Sequence, residues 1–298
     1  MISVKASAIC RNRHGARVQN QLAKALSKAG TSCEFEYQGS VTNDTHIKSY
    51  SDIDLLAIAQ SFWTLEPPQE PSRPYLGDPV AHLKEIRTTS AQCMRDSFPA
   101  ATVDDAGAKS IAISGGSLSR KIDIVPANWY DTNEFASSGA RRHRAIQVLN
   151  VRTGERVKNM PFMHNYLIEM RDRDTGGGLR KLVRLMKSLK YDSGEVSLSS
   201  FDITAIGYNM PEYQLSTVPG GEISLLARLK MYLDDLVEDH DRREELRVPD
   251  NSRAVFEAGH ATLAGLNELK TEVDDLVEAI CKNRLRSFAK LAEARVSY

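Results

Sequence analysis

The segment Asp52–Ala59, DIDLLAIA, constrains the fold more than any other stretch of the 298 residues. Its apolar run reads as a buried strand, yet that strand opens on two acids separated by one residue. Successive strand side chains alternate faces, so Asp52 and Asp54 point one way while Ile53, Leu55 and Ala57 point the other, into an apolar layer. At a rise of roughly 3.3 Å per residue, both carboxylates can reach one hard cation. Without a cation between them, like charges on one face would repel and raise one of the two pKa values.

A third acid is then expected on a neighbouring strand, and Lys121–Val125, KIDIV, supplies it. Asp123 is flanked by Ile122 and Ile124, which take the opposite face. An isolated Asp in an apolar strand is costly without a counter-charge. Three acids on two strands predict a site for two magnesium (or manganese) ions, with Asp52, Asp54 and Asp123 as metal ligands and catalytic residues. Magnesium suits hard oxygen ligands and also binds the phosphates of NTPs. Upstream, Gly39-Ser40 breaks the alternating strand Glu34–Gln38. Glycine lets the backbone approach closely, and the serine hydroxyl with the following N–H groups can cradle phosphate oxygens. Neither Gly-Ser nor Asp-x-Asp is informative alone; their order, followed by an Asp inside an apolar strand, carries the reading.

Elsewhere the pattern sets out the organisation. Residues 15–29 carry Val18, Leu22, Leu26 and Ala29 at helical spacing, closed by Gly30. Ser61–Pro79 holds five prolines and is expected to be an irregular loop. A helix follows over 80–98, then a hairpin of Lys109–Ile113 and Arg120–Val125 about Gly115-Gly116. A second hairpin is expected over Ala145–Val157, turning at Thr153-Gly154. From Pro161 the texture becomes helical: one helix, the Gly176-Gly177-Gly178 break, Leu179–Lys190, and periodic stretches over 199–210, 222–247 and 266–293. Leu266, Leu269, Val273, Leu276, Ile280 and Leu291 form a stripe that reads as core. The expected layout is an N-terminal helix (1–30) bracing both lobes, a mixed α/β catalytic lobe (31–158) and a helical lobe (159–298), with the ligand in the cleft between the lobes.

Net charge is zero, but residues 141–190 hold 13 Lys/Arg against 4 Asp/Glu. That segment is either a set of solvated helix faces or a basic wall for a polyphosphate or nucleic-acid ligand. Neutrality overall favours a small, highly charged ligand over a long RNA. No apolar run approaches the length of a membrane span, and the first residues lack a signal-peptide core, so a cytoplasmic protein is expected. The four cysteines (Cys10, Cys33, Cys93, Cys281) are too dispersed for a zinc site and read as reduced, mostly buried thiols.

The set Gly39, Ser40, Thr45, Ser51, Asp52, Asp54 and Asp123 resembles the nucleotidyltransferase superfamily that includes poly(A) polymerases, archaeal CCA-adding enzymes and oligoadenylate synthetases. Within it the chain looks most like the bacterial CD-NTases, the cyclic GMP-AMP-synthase-like enzymes of anti-phage signalling. The helix Leu179–Lys190 and the S-S-F-D of Ser199–Asp202 add to the resemblance, which covers roughly residues 34–210. It implies an α+β fold: a polymerase-beta-like nucleotidyltransferase lobe, its mixed sheet flanked by helices, plus a helical lobe, with the active site in the cleft between them. It also implies nucleotide contacts from Gly39, Ser40, Ser51, Lys187 and Ser200. The implied activity is metal-dependent synthesis of cyclic di- or oligonucleotide second messengers from NTPs, with a protein activator or regulator as a further candidate partner. Neither a membrane nor a nucleic acid is required. The alternative is an RNA-tailing, CCA-type or protein-NMP-transferring enzyme.

Overall fold

The computed structural model describes residues 13–47 and 52–296. They fall into two compact units, Met1–Tyr166 and Leu167–Tyr298. In the first, α1 (Arg13–Lys28) leads to β1 (Cys33–Gln38), a 3-10 turn (Gly39–Val41) and β2 (Ile53–Leu65). Then come α2 (Pro79–Ser97), β3 (Thr102–Asp104), β4 (Ile111–Gly115), β5 (Leu118–Asp131), the short α3 (Asn133–Ser138), β6 (Arg144–Leu149) and β7 (Arg156–Asn159). The strands form one mixed sheet in the order β1-β2-β5-β4-β3, with β6 pairing the second half of β5 and β7 pairing β6. Among the described residues only β2 and β5 run parallel; the other pairs are antiparallel.

Both faces of the two central strands are apolar, but with different partners. Ile53, Leu55, Ala57, Ile122 and Ile124 pack with Val18, Leu22 and Leu26 of α1 and with Leu83, Ile86 and Met94 of α2. The i, i+4 spacing of the α1 residues sets one stripe of that helix against this layer. The alternate residues Leu56, Ile58, Val125, Ala127 and Trp129 form a second layer with Ile146 and Val148, against which Phe162 packs. Asp54 and Asp123 share the side-chain parity of this second layer.

The expected irregular loop over Ser61–Pro79 needs correction. β2 continues to Leu65, because after a bulge at Ala59/Trp63 it resumes pairing with Trp129–Asp131 of β5. The bulge hides the pattern: Gln60 and Ser61 are exposed in succession, which breaks strict alternation. The remaining loop is fastened at its start, where Glu66 accepts hydrogen bonds from Asn133 N (2.9 Å) and Lys158 Nζ (2.7 Å).

The chain continues with α4 (Pro161–Asp174), which runs across the division between the units. The second unit then contains α5 (Gly178–Ser193), α6 (Ser200–Asn209), α7 (Glu212–Leu215), α8 (Glu222–Glu238), α9 (His240–Glu244) and α10 (Leu263–Val296). Its core joins Leu182, Val183 and Met186 of α5, Ile203 and Ile206 of α6, Leu229, Tyr232 and Leu233 of α8, and Leu266, Leu269 and Val273 of α10. Leu276 and Ile280 flank that core, while the side chain of Leu291 lies outside the described residues. The helix expected over 222–247 is broken at Asp239, whose backbone is extended and whose side-chain Oδ1 caps α9 by accepting from Arg242 N. Among the described residues no helix is long and apolar enough to cross a membrane. Cys33 and Cys93 are partly or fully buried and Cys281 is exposed, all three unbridged, while Cys10 lies outside the described residues.

Candidate active site

The parallel register of β2 and β5 sets Ile53 beside Ile122 and Asp54 beside Asp123. Parallel neighbours in register present their side chains on the same face, so the two carboxylates stand side by side. Asp52, two residues before Asp54, joins them at the mouth of β2. The same parity one step further along each strand gives Leu56 and Val125, so the acids sit at the rim of an apolar layer.

Gly39 explains its own identity. It has φ +76°, and a Cβ built on it would lie 2.2 Å from Oδ2 of Asp54. Only glycine satisfies both demands at once. The register Gln38↔Asp54 between β1 and β2 creates this approach, because the chain turns sharply one residue after the pair. Downstream contacts hold the turn: Thr42 Oγ1 donates to Gly39 O (2.8 Å) and Thr45 N to Ser40 O (3.0 Å). Thr45 is fully buried and its hydroxyl donates to Asn43 Oδ1 (2.6 Å), while Asn165 Nδ2 donates to Thr42 Oγ1 (3.1 Å).

A residue that the motif reading passed over stands among the acids. Lys121 Nζ lies 2.9 Å from Asp123 Oδ2 and 3.3 Å from Asp52 Oδ2. Burial works against its charge, but the Asp123 and Asp52 carboxylates outweigh that and hold the ammonium above the ordinary lysine range. Its signal was present in the sequence: Lys121 and Asp123 are two apart on one strand and must share a face. Asp123 is the more enclosed partner, 14% exposed against 45% for Asp52, and its other oxygen lies 3.5 Å from Ser110 Oγ. The loop carrying Ser110 is pinned from beneath by buried Arg87, which donates to the carbonyls of Asp105, Gly107 and Ser110.

The donor set is all carboxylate oxygen, the chemistry that hard divalent cations require. The acids converge closely enough for one ammonium to bridge two of them. Yet among the described residues no three His, Cys, Asp or Glu side chains close into a ready cage around one point. The donor chemistry therefore fits magnesium or manganese, while the present arrangement closes on a lysine.

The remaining predicted site residues are Ser51, Lys187 and Ser200. Ser51 lies outside the described residues. Lys187 is buried within α5, and Ser200 opens α6 with its hydroxyl 3.4 Å from Tyr191 Oη. The basic segment 141–190 is not a continuous cationic wall. Arg141 pairs with Glu34 and Glu36, Arg144 with Asp131, Lys158 with Glu66, Arg180 with Asp172 and Lys181 with Glu222. Acids both outside and inside the segment neutralise much of it, which a count of charges along the chain cannot foresee.

No protein-family model matches the chain. It is 34% identical over 264 residues to the cyclic dinucleotide synthase CdnE of Yersinia aleksiciae, covering 86% of this chain and 69% of that one. It is 33% identical over 248 residues to a c-di-GMP synthase of Capnocytophaga granulosa, covering 75% of this chain and 70% of the relative. The solved structure of a STING-associated CdnE c-di-GMP synthase from Capnocytophaga granulosa superposes with a TM-score of 0.73 at 30% identity, covering 93% of this chain and 83% of that structure.

Proposed function

The chain belongs to the CD-NTase family of nucleotidyltransferases, and from that premise we propose that it joins two NTPs into a cyclic dinucleotide, with GTP as a substrate and c-di-GMP as the first product to seek. One observation carries the reading on this chain's own residues: the Asp54–Asp123 pair abuts a glycine turn that tolerates no side chain. A turn packed this closely against a carboxylate suits a triphosphate that must meet metal ligands at short range.

In this reading Asp52, Asp54 and Asp123 hold two magnesium or manganese ions. When bound, such ions favour ionisation of an acceptor hydroxyl and offset the charge that develops on departing pyrophosphate. The chain's residues supply the positioning. Gly39 and Ser40 hold phosphate oxygens, the turn being kept in shape by the Thr42, Asn43 and Thr45 contacts. Ser51 is a further nucleotide contact, and Lys187 and Ser200 are the nucleotide contacts of the helical unit. The acceptor is the ribose hydroxyl of a second nucleotide, which attacks the α-phosphorus in line with the leaving group, and a second such step closes the ring. By extension from a STING-associated relative, the product serves as a second messenger in anti-phage defence.

The test is incubation with each α-labelled NTP and Mg²⁺ or Mn²⁺, followed by phosphatase and chromatography. A small phosphatase-resistant product, made from GTP and lost in the Asp52→Asn/Asp54→Asn variant, is expected. Label that appears only in added RNA or protein would overturn the proposal and identify a macromolecular acceptor.

A further inference from the structure

Lys121 has no place in the chemistry just described, although it touches two of the three acids. We propose that Lys121 is a built-in competitor of the metal: its ammonium gathers Asp52 and Asp123 in the metal-free enzyme and must release them before a divalent ion can be held there. The inference rests on the assignment of these carboxylates as metal ligands and adds a positioning residue that sets how tightly the site takes a free ion.

The geometry gives the argument. The pairing of Ile53 with Ile122 brings the residues just before them, Asp52 and Lys121, to the same end of neighbouring strands. Lys121 then reaches back along its own strand to Asp123 at 2.9 Å and across to Asp52 at 3.3 Å. Both contacts use an Oδ2 atom, and an ammonium and a divalent ion drawn to one carboxylate oxygen repel each other, so the two cations compete for it. Asp123 is only 14% exposed, so water compensates its charge poorly and the ammonium is its principal counter-charge. Three carboxylates on one face would otherwise repel one another. A divalent ion entering this site replaces an existing ion pair, and its apparent affinity is reduced by whatever that pair contributes.

Lys121→Met keeps the aliphatic stem and removes the charge; Lys121→Arg keeps the charge. Mn²⁺ is titrated into each protein without nucleotide, and free ion is followed by electron paramagnetic resonance. Binding at the site is defined as the part lost in Asp54→Asn. Tightening of that site about tenfold in Lys121→Met, corresponding to about 1.4 kcal/mol, is expected, with Lys121→Arg staying near wild type. Thermal unfolding supplies a second readout, since Lys121→Met should unfold below wild type in EDTA and lose that deficit in saturating Mn²⁺. Equal or weaker Mn²⁺ binding in Lys121→Met, with the wild-type site intact, overturns the role of Lys121 alone. Absence of an Asp54-dependent Mn²⁺ site in wild type overturns the metal assignment and this inference together. A Lys121→Met variant that binds Mn²⁺ as wild type does but has lost affinity for GTP would make Lys121 a phosphate contact instead.

Discussion

Gly39→Ala separates two effects that usually act together. The residue has φ +76°, in the left-handed region, and an added Cβ would lie 2.2 Å from Asp54 Oδ2. Holding alanine in that region costs about 1–2 kcal/mol. Spread over a unit of this size, such a loss lowers Tm by roughly 2–8 °C. The second effect is local. An ordinary carbon–oxygen contact is about 1 Å longer than the 2.2 Å available, so either the turn or the Asp54 carboxylate must move by that amount. A displacement of about 1 Å at a reacting centre costs on the order of a hundredfold in rate.

Gly30 provides the control. Its φ of +77° matches Gly39, but nothing lies within 4 Å of a Cβ built there. Gly30→Ala should therefore share the stability loss and keep its turnover, whereas Gly39→Ala should lose both. The assay is product formation at saturating NTP beside a thermal melt for each variant. Gly39→Ala turnover within threefold of wild type would refute the claim that the turn and Asp54 are packed without slack. An equal loss of turnover in both variants would show that backbone strain, not the carboxylate contact, limits the rate.

Three further outcomes follow from other contacts. Asp123→Asn should cut turnover at least about a thousandfold, since ligands to a catalytic metal are worth several kcal/mol, while its circular dichroism stays that of wild type; turnover within tenfold would remove Asp123 from the reaction. Arg253→Met should leave Asp202, 4% exposed and 2.6 Å from the guanidinium, buried without its counter-ion. A loss of about 3 kcal/mol is expected in urea unfolding, at the low end for a broken buried pair because Ser199 Oγ still donates to Asp202; a loss below about 1 kcal/mol would show the pair to be dispensable. Lys230 and Lys270 link α8 to α10 by each pairing with both Asp234 and Asp274 at 2.6–3.1 Å. Burial pushes the two carboxyls up, but the lysines more than offset it and hold them below the ordinary range. A carboxyl depressed in the folded state adds stability that is complete above its unfolded pKa and lost as pH falls. About 1 kcal/mol should therefore disappear below about pH 4, and Asp234→Asn/Asp274→Asn should show a shallower fall of Tm with acid; parallel curves would refute the assignment.

What the sequence made legible was whatever local pattern enforces. The stripe Val18, Leu22, Leu26 marked α1, the run after Asp54 marked the centre of β2, and Ile122 and Ile124 fixed the face of Asp123. The long end of β2 was illegible because its pairing partner is Trp129–Asp131, some seventy residues on, and the bulge breaks the alternation that would have announced it. β3 was missed because three residues, TVD, offer too little period to read. The neutralisation of Arg141, Arg144 and Lys158 was equally hidden, since Glu34, Glu36, Asp131 and Glu66 reach them only through the sheet order. Ser110 and Arg87 act on Asp123 through a loop whose course no residue pattern specifies.

The carboxylate pair and the apolar core are consequences of one register. Asp54 and Asp123 meet because Leu55 pairs with Ile124 and Leu56 with Val125. If β5 slipped by one residue against β2, every β5 side chain would change faces. Asp123 would then enter the layer that Ile122 and Ile124 share with Leu22, Leu83 and Met94, where a carboxylate has no partner. Ile122 and Ile124 would take its place on the outer rim. Burial of those isoleucines contributes about 1.5–3 kcal/mol each, and the unpaired carboxylate would cost several more, so the slip is excluded by the core alone. The alignment of the acids is therefore set by hydrophobic residues that never touch a substrate, and those residues hold the two strands in register.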